Sequence, residues 1–574
     1  MKKIFYFFSI ISLLLIMVSC QTTPEIISEL PSDSNTIERP VYDDEDTLNQ
    51  IMSIDETFTF TTDLITSSLI TANIDKNTVT ITEQGIYALT GSSSDAQVII
   101  NADDTDLIIL VLDNLNLTSL NGPVIDIENA NKVIMNVKDN TTNQLTDSST
   151  SSIDHQSVIY SKDDLTINGL GTLEINANYN NGINVNDELI IFCSTLIINA
   201  SNTAIKANNS LSITDANLTL TSGNDGIHVE NDTDLTKGSI TIESGTFTIN
   251  STGDAISSSL DLNIMDGTFD ITSGSLSSVD GKGLKATHNI IIANGTFNIE
   301  SIDDSIHSNS GILIDGGEFN LSTIDDAVHS DDELVINDGI IYIVKCFEGL
   351  ESYILRLNGG YIDITSTDDG INGSGGVNQS EVSLTNPDPI GTASLFITGG
   401  TIIINTMSDG IDTNGRVEMS GGLVIISGPL DGMQGAIDYD TTFNISGGTL
   451  VAAGASGREQ KNPSSTSTQN CVTIYLDAAS TQMIHVETST GETILSYTPE
   501  KTYQTLVFSS PDMIDDDSYV VYIGGTVVGA ISNTHGYIMS GSYSNGNLLG
   551  SFSTTSILST VGTPTVTDIR PPRP

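Results

Sequence analysis

The sequence has no tryptophan and only 19 lysines and arginines among its 574 residues. Against these stand 73 aspartates and glutamates, so the formal net charge is −54 at pH 7. Proteins that bind nucleic acid need clustered basic side chains to displace the counterions of the phosphate backbone. Nucleic acid is therefore not an expected partner. The absence of tryptophan also disfavours flat stacking on crystalline cellulose, where aromatic side chains usually supply much of the contact.

Cysteine is scarce as well. The four cysteines are Cys20, Cys193, Cys346 and Cys471. Their wide spacing indicates neither a disulfide framework nor a zinc site. Cys193, Cys346 and Cys471 are interpreted as small apolar residues of the interior.

The N-terminus has the order of a secretion signal, with two lysines, an apolar run from Ile4 to Val18, and then Ser19 and Cys20. The run is shorter than the ~20 residues that a permanent membrane helix needs. Its end resembles the bacterial lipobox. We expect residues 1–20 to be a lipoprotein signal peptide and Cys20 to be the lipid anchor. The protein would then lie on the extracellular face of the cell membrane, touching the membrane only through that anchor, whereas plain secretion is the alternative.

A helical repeat is also missing, since no stretch after the signal keeps an i, i+3, i+4 apolar pattern for three turns. Instead, "SIDDSIHS" at 301–308 returns as "TIDDAVHS" at 323–330, and Asp304 and Asp326 are 22 residues apart. A branched residue such as Ile183, Ile205 or Ile227 marks each repeat, and we call these residues the markers. Between markers, segments such as "ILIDGGEFNL" alternate apolar and polar residues around a Gly turn. This pattern predicts a β-solenoid.

The predicted fold is an all-β, right-handed parallel β-helix of about 22 residues per turn, with an inward column made of Phe247, Phe269, Phe297 and Phe319. A leucine-rich repeat has a similar period, but its consensus and helix are missing. The predicted domains are a flexible tether at 21–54, the β-helix with an N-terminal cap at 55–469, and a C-terminal β domain and tail at 470–574. A monomer is expected.

Several segments carry a resemblance to a known family. "GIYALTG", "SKDDLTINGLGTLEI", "NNGINVNDELII", "DDSIHS", "DDAVHS", "FEGLES" and "STDDGING" occur in order along the chain. In this series the sequence resembles a bacterial cell-surface carbohydrate-binding β-helix family that binds polygalacturonate with calcium and is similar to family 9 pectate lyases. The resemblance spans about residues 80 to 545. It implies a calcium-stabilised β-helix with an acidic polysaccharide as ligand.

The residues themselves point to calcium. In a β-helix, carboxylates on successive turns stack ~4.8 Å apart and repel one another by about 3 to 4 kcal/mol per pair. Calcium prefers 6 to 8 oxygen ligands, so a shared ion offsets the repulsion. A lone Asp before Gly is more often only a turn residue, but the doubled aspartates weaken that interpretation. The predicted metal ligands are Asp303, Asp304, Asp325, Asp326, Glu348, Glu351, Asp368, Asp369 and Asp409.

The position after each marker faces outward and carries histidine or lysine on several turns. These histidines are open to three interpretations, namely contact with the ligand, polar stacking, or metal binding. The predicted ligand-binding residues are His307, His329, Lys345, Lys285 and Arg356. Lys345 is the one candidate for a catalytic base, because polysaccharide lyases use a basic residue to remove a proton beside a calcium-bound carboxylate. The charged form of a lysine among carboxylates is favoured, however, which does not suit a base.

Three functions follow. The first is calcium-dependent binding of acidic polysaccharide, since a negative protein and a negative ligand need a bridging cation. The second is a pectate-type polysaccharide lyase. The third is a structural adhesin or stalk, for which the solenoid alone suffices.

Overall fold

The structure, a computed structural model, describes residues 78–150, 155–276, 281–374, 392–429, 434–457, 460–530 and 533–564. Every helix or strand assigned in these ranges is a β-strand, and most strands belong to one large and mostly parallel sheet. The all-β prediction is therefore confirmed, and the parallel pairing is consistent with a β-helix. A search of these residues for a helix able to cross a membrane finds none. The predicted signal peptide, Cys20 and the tether lie outside the described residues and stay predictions.

Three stacks of parallel strands make up most of this sheet, because each strand pairs with the equivalent strand of the next coil. Stack A contains the markers and consists of Thr78–Ile81, Gln97–Asn101, Ile125–Asn129, Ser157–Ser161, Asn181–Val185, Ile205–Ala207, Ile227–Val229, Ile256–Ser258, Leu284–Ala286, Ile306–Ser308, the first parts of Val328–Ile336 and Leu350–Leu357, Ile371–Gly373 and Ile411–Thr413.

Stack B follows stack A along the chain. It consists of Gly85–Ser93, the first part of Leu107–Ser119, Lys132–Val137, Asp164–Asn168, Glu188–Phe192, Ser210–Thr214, Ser239–Ile242, Leu262–Ile264, Asn289–Ile292, Gly311–Ile314, the second parts of Val328–Ile336 and Leu350–Leu357, Ala393–Ile397, Gly415–Met419 and Thr442–Ile445.

Stack C closes each coil and leads back to stack A. It consists of the second part of Leu107–Ser119, Thr142–Asp147, Thr172–Ala177, Thr195–Ala200, Ala216–Ser222, Gly245–Ser251, Thr268–Ser273, Thr296–Ser301, Glu318–Ser322, Ile340–Cys346, Tyr361–Ser366, Thr401–Thr406, Leu423–Ser427 and Thr449–Gly454.

The core runs along the inside of the three stacks. Ile183 pairs with Ile205, and Ile205 pairs with Ile227, so the markers form one inward column. In stack C, Phe247, Phe269, Phe297 and Phe319 stack with ring centroids 4.6 to 4.7 Å apart and nearly parallel planes. Both columns are almost fully buried. β-Branched and aromatic residues suit the strands of this sheet, which are pleated and buried on their inner face.

The turns from stack B to stack C need glycine where successive coils approach closely. Gly400 has φ of +80°, and an added Cβ would lie 2.7 Å from the carbonyl oxygen of Gly359. Only glycine adopts this conformation at no steric cost. The Gly-Gly pairs of the sequence therefore let these turns stack.

Beyond the coils, the chain continues with shorter strands that pair mostly antiparallel. Val472, Tyr497 and Phe508 from this C-terminal part share a core with Ile425 and Val451 of stack C. This packing covers the outer face of the last stack C strands. The strands are Cys471–Ser480, Ile484–Thr488, Thr493–Tyr497, Tyr503–Ser509, Ser518–Ile523, Thr526–Val528, Asn533–Thr534, Tyr537–Ile538, Ser542–Ser544, Asn547–Ser553 and Leu558–Val561.

Candidate functional site

The acidic residues lie at the corner where stack C turns into stack A, which we call the acidic corner. In one coil, the stack C strand ends at Ser301 and the stack A strand begins at Ile306. Asp303 and Asp304 lie in the turn between them. Because the coils pair in register, the equivalent residues of the next coil, Asp325 and Asp326, lie directly beside them.

Each aspartate before a marker links two coils through one of its carboxylate oxygens. The backbone N–H of Asp254 donates to Asp225 Oδ1 at 2.9 Å. The N–H of Asp326 donates to Asp304 Oδ1 at 3.1 Å. These bonds satisfy amides that the sharp turn leaves without a strand partner, so the first role of the aspartates is structural.

The second oxygen of the same carboxylates faces outward. Asp304 Oδ2 lies 2.8 Å from Lys282 Nζ and 2.7 Å from His307 Nδ1. Burial alone would raise the pKa of Asp304, but the hydrogen bond from His307 and the charge of Lys282 hold it well below its usual range. Lys282 also lies 2.7 Å from Asp303 Oδ1. The ammonium of Lys282 therefore already offsets the negative charge of this part of the acidic corner.

His329 occupies the centre of the next group. Its Nδ1 lies 3.4 Å from Asp326 Oδ2 and 3.4 Å from Glu351 Oε2, and its Nε2 lies 3.4 Å from Asp331. Burial opposes the charged imidazole, but the bonds to Asp326 and Asp331 and the charge of Glu351 raise the pKa of His329 to about 11. His329 is thus an internal cation. The rings of His307 and His329 meet edge to face with centroids 4.9 Å apart.

Further along the corner, three carboxylates gather that form no ion pair with a basic side chain among the described residues. Asp369, Asp409 and Asp412 each offer an oxygen, and these oxygens lie within 4.8 Å of one another. Asp369 and Asp409 are buried, at 8% and 5% exposure. The charge of Lys461 acts on Asp412, but Lys461 forms its ion pair with Asp438 at 2.6 Å. We call Asp369, Asp409 and Asp412 the carboxylate trio.

The electrostatics of the trio follow from this geometry. Burial and, to a smaller extent, the charges of Asp369 and Asp412 together raise the pKa of Asp409 to about 8, against the opposing effect of a backbone hydrogen bond from Gly435. Burial and neighbouring carboxylates likewise raise the pKa of Asp369 to about 6 and that of Asp412 to about 7. Near neutral pH these groups need either protons or a bound cation to offset their repulsion.

Seven of the nine predicted metal ligands fall in three groups, and Asp304 also belongs to a fourth group with His307 and His329. Asp303, Asp304 and Asp325 form one group, Asp326 and Glu351 join His329 in a second, and Asp369 and Asp409 join Asp412 in the third. Glu348 and Asp368 belong to none of these groups among the described residues. Glu348 Oε2 accepts a hydrogen bond from Asn372 at 2.8 Å. Burial and the charges of Glu351 and Asp326 raise the pKa of Glu348 to about 9.

The predicted ligand-binding residues are scattered. Lys285 is at the acidic corner, paired with Asp254 at 2.8 Å. Lys345 is exposed on the outer face of stack C, at a bulge where Ser322 pairs with Lys345 and Val344 is passed over. Arg356 lies on stack B, where its Nε is 2.6 Å from Glu333 Oε1 and its guanidinium lies over Phe396.

The repeat pattern did not single out Asp412 as a candidate ligand, and it did not predict the contact of Lys501 with stack C. Asp412 follows a marker, and only the folding of its side chain back toward the corner brings it to Asp369 and Asp409. Lys501 comes from the C-terminal part and donates to the backbone oxygen of Thr406 at the end of a stack C strand. Burial lowers the pKa of Lys501 to about 8. The spacing of Asp412 within the repeat was a usable signal, whereas nothing local marks Lys501.

The chemistry of the trio fits a hard cation. Its three carboxylates supply the oxygen ligands that calcium prefers. Backbone carbonyls and water can complete the coordination shell of calcium. The group of Asp304, His307 and His329 includes two imidazoles, which suit zinc or copper better, but Lys282 competes for the same aspartate oxygen. The carboxylate trio is therefore the best candidate for a calcium site.

Fold and site together define a solenoid of parallel strands with one acidic corner. Residues 75–327 match the family described as "Carbohydrate-binding domain-containing protein". A protein of that description from Acetivibrio thermocellus is 33% identical over 134 residues, which is 22% of this chain and 47% of that protein. The chain thus spans about half the length of this relative.

Among solved structures, a polysaccharide lyase-like protein from C. thermocellum, in a gadolinium derivative, matches with 31% sequence identity. The match covers 38% of this chain and 83% of that structure, with a TM-score of 0.32.

Proposed function

We propose that this protein binds acidic polysaccharide, of the polygalacturonate type, through calcium held at the acidic corner. The observation that carries the proposal is the carboxylate trio, whose three oxygens converge within 4.8 Å, while Lys461, whose charge acts on Asp412, is paired with Asp438. The match of residues 75–327 to a carbohydrate-binding family supports the ligand class.

The charge of the molecule explains why a cation is needed. At −54, the protein repels a polymer of uronic acids unless the charges at the contact are offset. A calcium ion bound by carboxylates keeps free ligand positions that the carboxylates and hydroxyls of a sugar acid occupy. The protein's own contribution is to hold Asp369 and Asp409 in place through the backbone ladder, in which the N–H of Asp409 donates to Asp369 Oδ1 at 2.9 Å.

The three groups of the acidic corner have different parts in this proposal. The trio binds calcium first, because its carboxylates take part in none of the ion pairs formed by the described residues. At Asp303, Asp304 and Asp325, the ammonium of Lys282 stands where a cation would bind. The ammonium of Lys282 instead remains a positive group at the surface of this end of the corner, where the carboxylates of the sugar can approach it. The same corner thus holds a bridging cation at one end and basic side chains at the other.

Neither alternative function gains a specific observation. For a lyase, Lys345 would have to reach a substrate held at the trio, yet it is on the outer face of stack C and two coils before Asp409. A stalk needs no converging carboxylates. Display on the extracellular face of the cell membrane through a lipid on Cys20 remains part of the proposal, and it rests on the sequence of residues 1–20.

A glycan array probed in calcium and in EDTA tests the proposal. We expect the protein to bind uronic-acid polymers on the array in calcium and not in EDTA. Neutral polymers should give the same signal in both buffers. Uronic-acid binding that is equal in the two buffers contradicts the calcium bridge, and no uronic-acid binding in either buffer contradicts the ligand class.

A further inference from the structure

A second surface lies on the outer face of stack C, where the C-terminal part stops covering it. Ile340, Tyr342 and Val344 point outward from one strand and are 40%, 46% and 56% exposed. The ring of Tyr361, from the next coil, lies 5.7 Å from that of Tyr342 at an angle of 57°. We call these four residues the tyrosine shelf. One coil further, Ile403 is buried to 2% exposure, so the shelf ends abruptly.

Polar groups from both parts of the chain border the shelf. Tyr361 OH donates to Asp363 Oδ2 at 3.3 Å, and His535 Nε2 lies 3.2 Å from the same oxygen. His535 Nδ1 lies 2.6 Å from Glu500 Oε1. His535 and Glu500 belong to the C-terminal part, whereas Asp363 belongs to stack C. The shelf is therefore a floor of aromatic and apolar side chains with a polar wall beside it.

The chemistry of floor and wall limits the occupant. Exposed aromatic rings pack against apolar faces, and a pyranose ring presents such a face of C–H groups. The carboxylates of Asp363 and Glu500 accept hydrogen bonds but donate none when ionised, so the occupant has to donate, as sugar hydroxyls do. A sugar acid would bring its own negative charge against two carboxylates, which disfavours it. A second copy of this chain would bring a net charge of −54 against the same charge.

We propose that the tyrosine shelf binds neutral saccharide without calcium, as a second binding surface next to the C-terminal part. Three or four residues of an extended strand span ~10 to 13 Å, enough for a short stretch of a polysaccharide chain. The shelf lies outside residues 75–327, which match the carbohydrate-binding family. Together with the acidic corner, it would let one molecule hold a polymer mixture of acidic and neutral chains.

The test measures binding of cellohexaose, xylohexaose and mannohexaose in EDTA by calorimetry, with the full chain. We expect at least one of these neutral hexasaccharides to bind. Tyr342→Ala should weaken that binding about tenfold, because the lost ring contact and buried area amount to about 1.4 kcal/mol. Tyr361→Phe should keep most of the affinity, since it keeps the ring. Tyr179→Ala, which alters a tyrosine of a distant coil, is the control and should change nothing.

Three results would overturn the proposal. They are the absence of binding to all three hexasaccharides, equal binding by the parent and Tyr342→Ala, and a dimer in sedimentation that Tyr342→Ala converts to monomer. Polygalacturonate binding in calcium is measured on the same variants. If Tyr342→Ala leaves it intact, the shelf and the acidic corner are shown to act separately, so failure of one proposal does not imply failure of the other.

Discussion

The backbone amide of Asp326 donates a hydrogen bond of 3.1 Å to Oδ1 of Asp304, which belongs to the preceding coil. The opposite oxygen of Asp304 contacts Lys282 and His307. One carboxylate thus joins two coils on its inner side and contacts a lysine and a histidine on its outer side. The repeated aspartates hold the turns together and also determine the charge of the acidic corner.

Hydrogen exchange tests the inner role. In Asp304→Ala the amide of Asp326 loses its acceptor, and a buried donor without a partner costs about 1 to 3 kcal/mol. We expect exchange at that amide to become at least about tenfold faster. Asp304→Asn keeps an acceptor oxygen and should stay close to the parent. Unchanged protection in Asp304→Ala would show that this hydrogen bond contributes nothing to the turn.

The pH dependence of stability tests the electrostatics of the corner. Asp369, Asp409 and Asp412 have native pKa values of about 6, 8 and 7, above the ordinary value of 3.8. The native state therefore binds more protons than the unfolded state between pH 4 and 8, and stability falls as pH rises. His329, with its pKa raised from 6.5 to about 11, adds a loss of the same sign above pH 6.5.

We therefore expect the melting temperature in EDTA to fall between about pH 5 and pH 8. Millimolar calcium should reduce that fall, because bound calcium replaces the protons. Asp409→Asn should flatten the profile in EDTA. A melting temperature that rises over this range in EDTA would contradict the assignment of the trio as crowded carboxylates.

The phenylalanine column supports the coils from inside. Phe297 lies in the middle, with rings 4.7 Å away on both sides, and is 1% exposed. Phe297→Ala leaves a cavity and should lower the free energy of unfolding by about 3 to 5 kcal/mol. Phe347→Ala, at a residue that is 43% exposed, is the matched control and should cost less than about 1 kcal/mol. Guanidinium titration of both variants measures the difference, and equal losses would refute the column's role.

Calcium titration separates the groups of the acidic corner. Asp409→Asn removes one charge and one strong ligand from the trio, so calcium affinity should fall about tenfold or more. Asp225→Asn changes an aspartate of the same ladder whose outer oxygen lies 2.9 Å from His228, and it should leave calcium affinity unchanged. Calorimetric titration of the two variants and the parent with calcium measures the three affinities. Equal calcium affinity in the parent and in Asp409→Asn would show that the trio is not the calcium site.

The sequence predicted the parts of the fold that depend on periodic burial. The marker column and the phenylalanine column pair in register, because a regular coil places equivalent residues side by side. The same periodicity also predicted that the acidic residues of successive coils lie beside one another, and they do so at one corner. These residues recur at a regular spacing in the sequence. The short turn between two strands restricts where their backbone can lie.

The sequence did not reveal which carboxylates are neutralised. Lys282 occupies the ladder position equivalent to Asp304, and its long side chain reaches across to Asp303 and Asp304 of the next coil. The contact of His329 with Glu351 crosses coils in the same way. Lys501 and His535 arrive from a part of the chain about 95 and 170 residues away from their contacts. Such encounters depend on side-chain reach and on docking of the C-terminal part, neither of which the repeat pattern encodes.

The most direct test of the central claim is the affinity of the parent and Asp409→Asn for polygalacturonate, measured in calcium and in EDTA. The account predicts that the parent binds in calcium and loses binding in EDTA, while Asp409→Asn binds weakly in both. Binding by Asp409→Asn that matches the parent in calcium, or parent binding that survives EDTA, would contradict it.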